Sequence, residues 1–99
     1  INACQTPDRT EAIVHQKESP LPSLINAAKV LESASCQFIA MPCNTAHYYY
    51  EDISDKIIIP LLDMIELSAK KMARLSLSKV GILVSPAVKK IGILDKLMK

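Results

Sequence analysis

The sequence predicts an α/β fold, a short parallel sheet flanked by helices. Three observations carry this expectation. Residues 36–41 (CQFIAM), 57–59 (III) and 80–84 (VGILV) are short, apolar and strand-sized. Between them the apolar positions recur at helical spacing. The two patterns alternate along the chain, as they do where helices cross over between parallel strands.

The first 18 residues resist typing. Residues 1–3 fit the tail of a strand, and Thr6-Pro7-Asp8-Arg9-Thr10 reads as a turn. From Leu21 the apolar ladder Leu21, Leu24, Ile25, Ala28, Leu31 marks an amphipathic helix that should fade at residues 33–35. Ser19-Pro20 gives it a start, because proline is tolerated in a first helical turn. Residues 36–41 then read as a buried strand ended by Pro42, which biases Met41 toward extended backbone. Asn44 and Thr45 are good helix-cap residues, and a helix over 45–53 follows. Three consecutive tyrosines weaken its propensity. At least one of Tyr48, Tyr49 and Tyr50 should be exposed, since three adjacent helical positions cannot share a face.

The β-branched run 57–59, bounded by Pro60, predicts a second strand. Leu61, Ile65, Ala69, Met72 and Ala73 then mark one face of a helix. Lys70, Lys71 and Arg74 read as its solvated side. Residues 80–84 predict a third strand ending in Ser85-Pro86. Val88, Ile91, Leu94 and Met98 mark a last amphipathic helix.

Composition narrows the function. The 99 residues allow one domain, and 49% hydrophobic with 22% charged residues argues against disorder. No apolar run approaches the roughly 18 residues of a membrane span, and no secretory signal opens the chain. The absence of an initiating methionine reads as a fragment, a processed chain or an incomplete gene product. The net charge is only +2, without an aromatic-interleaved basic stripe, so nucleic acid is not an expected partner. Three cysteines without CxxC spacing suit neither a disulfide framework nor a zinc site. They fit a reducing, cytoplasmic setting. Asp52, Asp55 and Asp63 form no metal-spaced cluster, and no metal is expected. Cys36 reads as core, and His15 as a surface residue.

In parallel sheets ligands bind at the carboxyl ends of strands. Three turns occupy those ends here: residues 7–10, 42–45 and 85–86. Met41-Pro42-Cys43-Asn44-Thr45-Ala46-His47 is the most informative. Cys43 lies between a predicted strand and a helix start, where backbone N–H groups favour negative charge. A thiol there should ionise more readily, which makes Cys43 a candidate base or nucleophile. The bland alternative is a small buried hydrophobe. Asn44 and Thr45 add donors for an anionic ligand. For His47 the residues leave two roles open: orienting a ligand or tuning the thiol, and packing beside the loop.

This heptapeptide closely resembles the first cysteine motif of the aspartate/glutamate racemases, the cofactor-independent amino-acid racemases that use two cysteines. The turn at 6–10 resembles that family's proline-aspartate-arginine-threonine turn. Ser19-Pro20-Leu21-Pro22 with Ala27-Ala28-Lys29-Val30-Leu31 resembles the following helix, and Lys79-Val80-Gly81-Ile82-Leu83 resembles the strand opening the next segment.

The resemblance implies a two-base reaction on a small acidic amino acid. One thiolate removes the α-proton while a second thiol donates one from the opposite face. No pyridoxal phosphate or other cofactor is needed. Cys43 matches the first catalytic cysteine. Asn44 and Thr45 match the residues that hold the substrate's α-carboxylate. Arg9 matches the family arginine, suited to gripping a side-chain carboxylate. By the same resemblance the chain is part of the first domain of a pseudo-symmetric two-domain fold.

The departures matter equally. Cys43 is the last cysteine of the sequence, so the family's second cysteine has no match. The family's glycine-rich opening strand has no match either, and Ser85-Pro86-Ala87-Val88 stands where threonines and a glycine are usual. Two expectations follow. One is a racemase half carrying a single half-site; the other is a catalytically inactive, truncated racemase-like binding or interaction domain. Either would leave a sheet edge or apolar face exposed, inviting a partner chain such as a second copy.

Overall fold

The computed structural model describes residues 5–92. Five α-helices and one 3-10 turn dominate: α1 (Arg9–His15), α2 (Leu21–Ser33), the 3-10 turn (Thr45–Tyr49), α3 (Tyr50–Ser54), α4 (Met64–Arg74) and α5 (Pro86–Ile91).

Helix α1 occupies sequence that resisted typing. Its signal was a cap. Asp8 has extended backbone and its carboxylate accepts the Glu11 N–H at 2.8 Å. An acidic cap with glutamate three residues on is the capping-box pattern.

Helix α2 follows its apolar ladder. The Ser19 hydroxyl accepts the Leu21 N–H at 3.1 Å, and Pro20, fully buried, gives its carbonyl to Leu24. The helix ends in a Schellman arrangement with Ser35 at φ 66°, Ser35 N–H on the Glu32 carbonyl and Cys36 N–H on the Leu31 carbonyl.

The expected parallel sheet is not formed among the described residues. A single parallel bridge joins Ile39 to Leu61. Ile39 N–H donates to the Pro60 carbonyl and Leu62 N–H to the Ile39 carbonyl, both at 2.9 Å. The neighbouring rungs fail for local reasons. The rung before would need an N–H at position 60, which is proline. The rung after would pair the Met64 N–H with the Met41 carbonyl. Instead Met64 N–H donates to the His47 imidazole, and Met41 O accepts from Cys43 N–H.

Residues 57–59 are therefore not a strand. The Glu32 carboxylate accepts the N–H groups of Ile58 and Ile59, at 2.5 and 3.2 Å, and so occupies amides that a ladder would use. Among the described residues, 80–84 form no strand pairing either. Val80, Ile82 and Val84 are more than a third exposed and Leu83 is fully so.

Helix α4 begins later than its apolar face suggested. Leu61 belongs to the bridge, and Asp63 caps the helix by accepting the Glu66 N–H at 3.0 Å. Lys70 pairs with Glu66 at 3.0 Å on the solvated side, an exposed pair of small energetic worth. Helix α5 carries the last apolar pattern through Val88, whereas Leu94 and Met98 lie outside the described residues.

The main core gathers Ala28 of α2, Ile39 and Leu61 of the bridge, Tyr49 and Ile53. Around it pack Ile13 of α1, Leu24, Ile25 and Leu31 of α2, and Ile57 and Ile59. Helix α1 rests on α5 and on the 3-10 turn, where Ala46, Ala87 and Val88 are buried. Cys36 is half-buried and His15 exposed. Of the three tyrosines, Tyr48 is exposed, Tyr50 half-buried and Tyr49 buried edge-on against Tyr48.

Burial pushes the Tyr49 phenol above its ordinary 10.0; a hydrogen bond with Ser19 pulls the other way, and neighbouring Tyr48 adds to the rise. A raised folded-state value favours the neutral phenol in the native chain. The resulting stability is fully present below the ordinary tyrosine value and is lost as pH climbs through the raised one. The urea midpoint should therefore fall on passing pH 10 in the wild-type chain, and less steeply in Tyr49→Phe. Equal slopes for the two would count against this assignment.

Candidate functional site

The site is built on the turn after the bridge residue Ile39. Pro42 lets the chain reverse, with Cys43 N–H donating to the Met41 carbonyl at 2.8 Å. An α-helix starting here would bring the His47 N–H to the Cys43 carbonyl. That carbonyl is already taken by the His47 ring, whose Nδ1 lies 2.7 Å away. His47 N–H donates instead to the Asn44 carbonyl, three residues back, at 3.1 Å. The segment expected as a helix over 45–53 is accordingly a 3-10 turn followed by α3. The chain beyond Cys43 thus opens as five residues of 3-10 turn before α3, not as the first turns of an α-helix.

His47 is buried and bonded at both nitrogens. Nε2 accepts the Met64 N–H at 3.2 Å, which leaves it unprotonated, so Nδ1 carries the hydrogen and donates to Cys43. Its ring lies nearly parallel to Tyr50, with centroids 6.3 Å apart, and the Tyr50 hydroxyl donates to the Leu61 carbonyl at 2.7 Å. Of the two roles that the sequence left open, the structure shows the second: His47 ties the cysteine turn to the start of α4. His47→Phe keeps the ring but strands the Cys43 carbonyl and the Met64 N–H. It should cost about 1–3 kcal/mol of stability, read from the denaturant midpoint. An unchanged midpoint would refute the tie.

Cys43 is half-buried and a free thiol. Asn44 is exposed and stands at the N-cap position of the 3-10 turn, yet its side chain makes no capping bond. Thr45 is buried, and its hydroxyl lies 3.1 Å from the Ser85 hydroxyl. Asn44 and Thr45 open on a cavity of about 410 Å³ whose other walls are Leu83, Val84, Ser85 and Val88.

The structure thus brings the 42–45 and 85–86 turns together. It does not bring Arg9 to that cavity. Arg9 opens α1, and its guanidinium folds back onto the Pro7 carbonyl at 3.2 Å. Ser85 was missed as a partner of Thr45. Its signal was Ser-Pro ahead of an apolar helical pattern, a capping signature: the Ser85 hydroxyl accepts the Val88 N–H at 3.3 Å.

Comparison with known proteins agrees with the motif. The family model described as Asp/Glu/Hydantoin racemase matches residues 1–99. The chain is 31% identical, over all 99 of its residues, to a Bacillus subtilis (strain 168) protein named "Broad specificity amino-acid racemase RacX". It spans 43% of that relative's length. With its whole length matched by the family model and the cysteine turn in place, the chain belongs to the Asp/Glu/hydantoin racemase family.

Proposed function

We propose that the chain carries one half-site of a cofactor-independent amino-acid racemase acting on aspartate or glutamate, with Cys43 as one of two proton-transferring thiols. The observation that carries this reading is the turn itself. Cys43 has both backbone groups bonded within the turn, while the Asn44 side chain caps nothing and faces an open cavity beside the Thr45 hydroxyl. That arrangement suits a carboxylate docked on Asn44 and Thr45, next in sequence to Cys43, which does not itself line the cavity. The α-proton of an amino acid is weakly acidic, so fixed donors at the carboxylate would stabilise charge developing beside it. Arg9 would reach a side-chain carboxylate only by leaving the Pro7 carbonyl.

The second thiol and the rest of the cleft would come from outside this sequence, in which Cys43 is the last cysteine. In the two-domain arrangement that this reading implies, the Ile39–Leu61 bridge would be one rung of a parallel sheet.

Calorimetric titration with both enantiomers of aspartate and glutamate tests the reading. Binding that Asn44→Ala and Thr45→Val both weaken supports it. No heat with any of the four ligands argues for a non-catalytic interaction domain. That second reading is favoured by the exposed apolar side chains of residues 80–84.

A further inference from the structure

We propose that Ser85 is a positioning residue that sets the direction of the Thr45 hydroxyl. The inference rests on the reading of Thr45 as a carboxylate donor and adds a residue to it. Three observations meet at Ser85. Its hydroxyl lies 3.1 Å from that of Thr45, across 40 positions of sequence. It accepts the Val88 N–H at 3.3 Å, and it lines the same cavity as Asn44 and Thr45.

A serine hydroxyl has one proton to give. The Val88 N–H fills one of the two Ser85 lone pairs, and the 3.1 Å contact fits either hydroxyl as donor. The carboxylate reading selects one direction: Ser85 gives its proton to Thr45 Oγ1. Thr45 then accepts from Ser85, and its own proton is free to turn into the cavity. The result is a relay of aligned donors: Val88 N–H to Ser85, Ser85 to Thr45, Thr45 to the anion. Reversing the Ser85–Thr45 bond would turn a lone pair toward the ligand, which suits a cation and not a carboxylate. Thr45 is buried, so it has little water with which to replace Ser85. The substrate-facing hydroxyl is thereby oriented from the start of α5, a separate element of the fold.

The test uses the isotope-labelled 99-residue chain with Ser85→Ala, Ser85→Thr, Thr45→Val and the Ser85→Ala/Thr45→Val double variant. Three-bond couplings from the Thr45 methyl carbon to the backbone report its rotamer without any ligand. Wild type and Ser85→Thr should show one rotamer, and Ser85→Ala an average of several. Unchanged couplings in Ser85→Ala would overturn the proposal, whatever the chain binds.

NMR titration with aspartate then reads the consequence. Ser85→Ala should weaken binding roughly five- to tenfold, the value of one hydrogen bond, and Ser85→Thr should restore it. In the Thr45→Val background, Ser85→Ala should have no further effect on affinity. Additive losses would instead assign Ser85 to capping α5 alone and overturn the relay. Absence of aspartate binding by the wild-type chain would refute the carboxylate reading, and the rotamer couplings would still decide the positioning claim.

Discussion

Cys43→Ala should strongly slow solvent exchange of an amino acid's α-proton. The argument is stereochemical. A single thiolate can remove and return a proton on one face of the α-carbon only. The 99-residue chain in deuterium oxide should therefore exchange the α-proton of one enantiomer of aspartate or glutamate and leave its mirror image untouched. On the two-thiol reading it should do so without inversion, because this sequence supplies one of the two thiols. Proton NMR follows this directly as loss of the α-proton signal. Cys43→Ala should slow exchange by about 10²–10⁴, the usual contribution of a positioned general base. Adding a segment that supplies the second cysteine should convert exchange into racemisation, and the same variant should suppress both. If Cys43→Ala exchanges at the wild-type rate, the base lies elsewhere. If both enantiomers exchange equally in the isolated chain, the one-face geometry is wrong.

Ile53→Ala should be the most damaging conservative substitution in the core. Ile53 is 2% exposed and sits on α3 among Ala28, Ile39, Tyr49 and Leu61. Truncation removes three carbons from a site walled by the bridge and by α2, where collapse is restrained from several directions. The expected cost is about 2–5 kcal/mol, comparable to the whole stability of a small domain. Equilibrium denaturation followed by far-UV circular dichroism measures it. Ile58→Ala is the internal control. That side chain is 93% exposed, so its loss should move the midpoint little. A cost below about 1 kcal/mol for Ile53→Ala would mean that this cluster is not the organising core.

Helix α2 was the most legible element, because its apolar ladder, its start and its end agree. The 42–45 turn was legible as a site through its unusual side chains. The sheet was not, and the reason lies in competition for amides. The apolar patterns of residues 36–41 and 57–59 fit strands, but pattern says nothing of which acceptor an N–H will find. Glu32, far away in sequence, takes the amides of Ile58 and Ile59, and His47 takes that of Met64. The chain then pairs where it still can, at Leu61. Position α1 was readable in retrospect, since Asp8 and Glu11 form a cap signature hidden by the turn-like residues before it. The Thr45–Ser85 hydrogen bond joins positions 40 residues apart, a separation beyond any local pattern.

The Ile39–Leu61 bridge, the one β-bridge among the described residues, has a kinetic consequence. Its two amide bonds tie the segment after α2 to the segment before α4, and no further rung shares the strain of opening. Amide hydrogen exchange should show Ile39 and Leu62 protected as a pair and released together, through a sub-global opening that leaves α2 intact. His47 sits at the end of that bridge and also holds the Cys43 carbonyl. Opening of the bridge and loosening of the cysteine turn should therefore be one event, with Cys43 gaining solvent access at the rate at which the Leu62 amide exchanges.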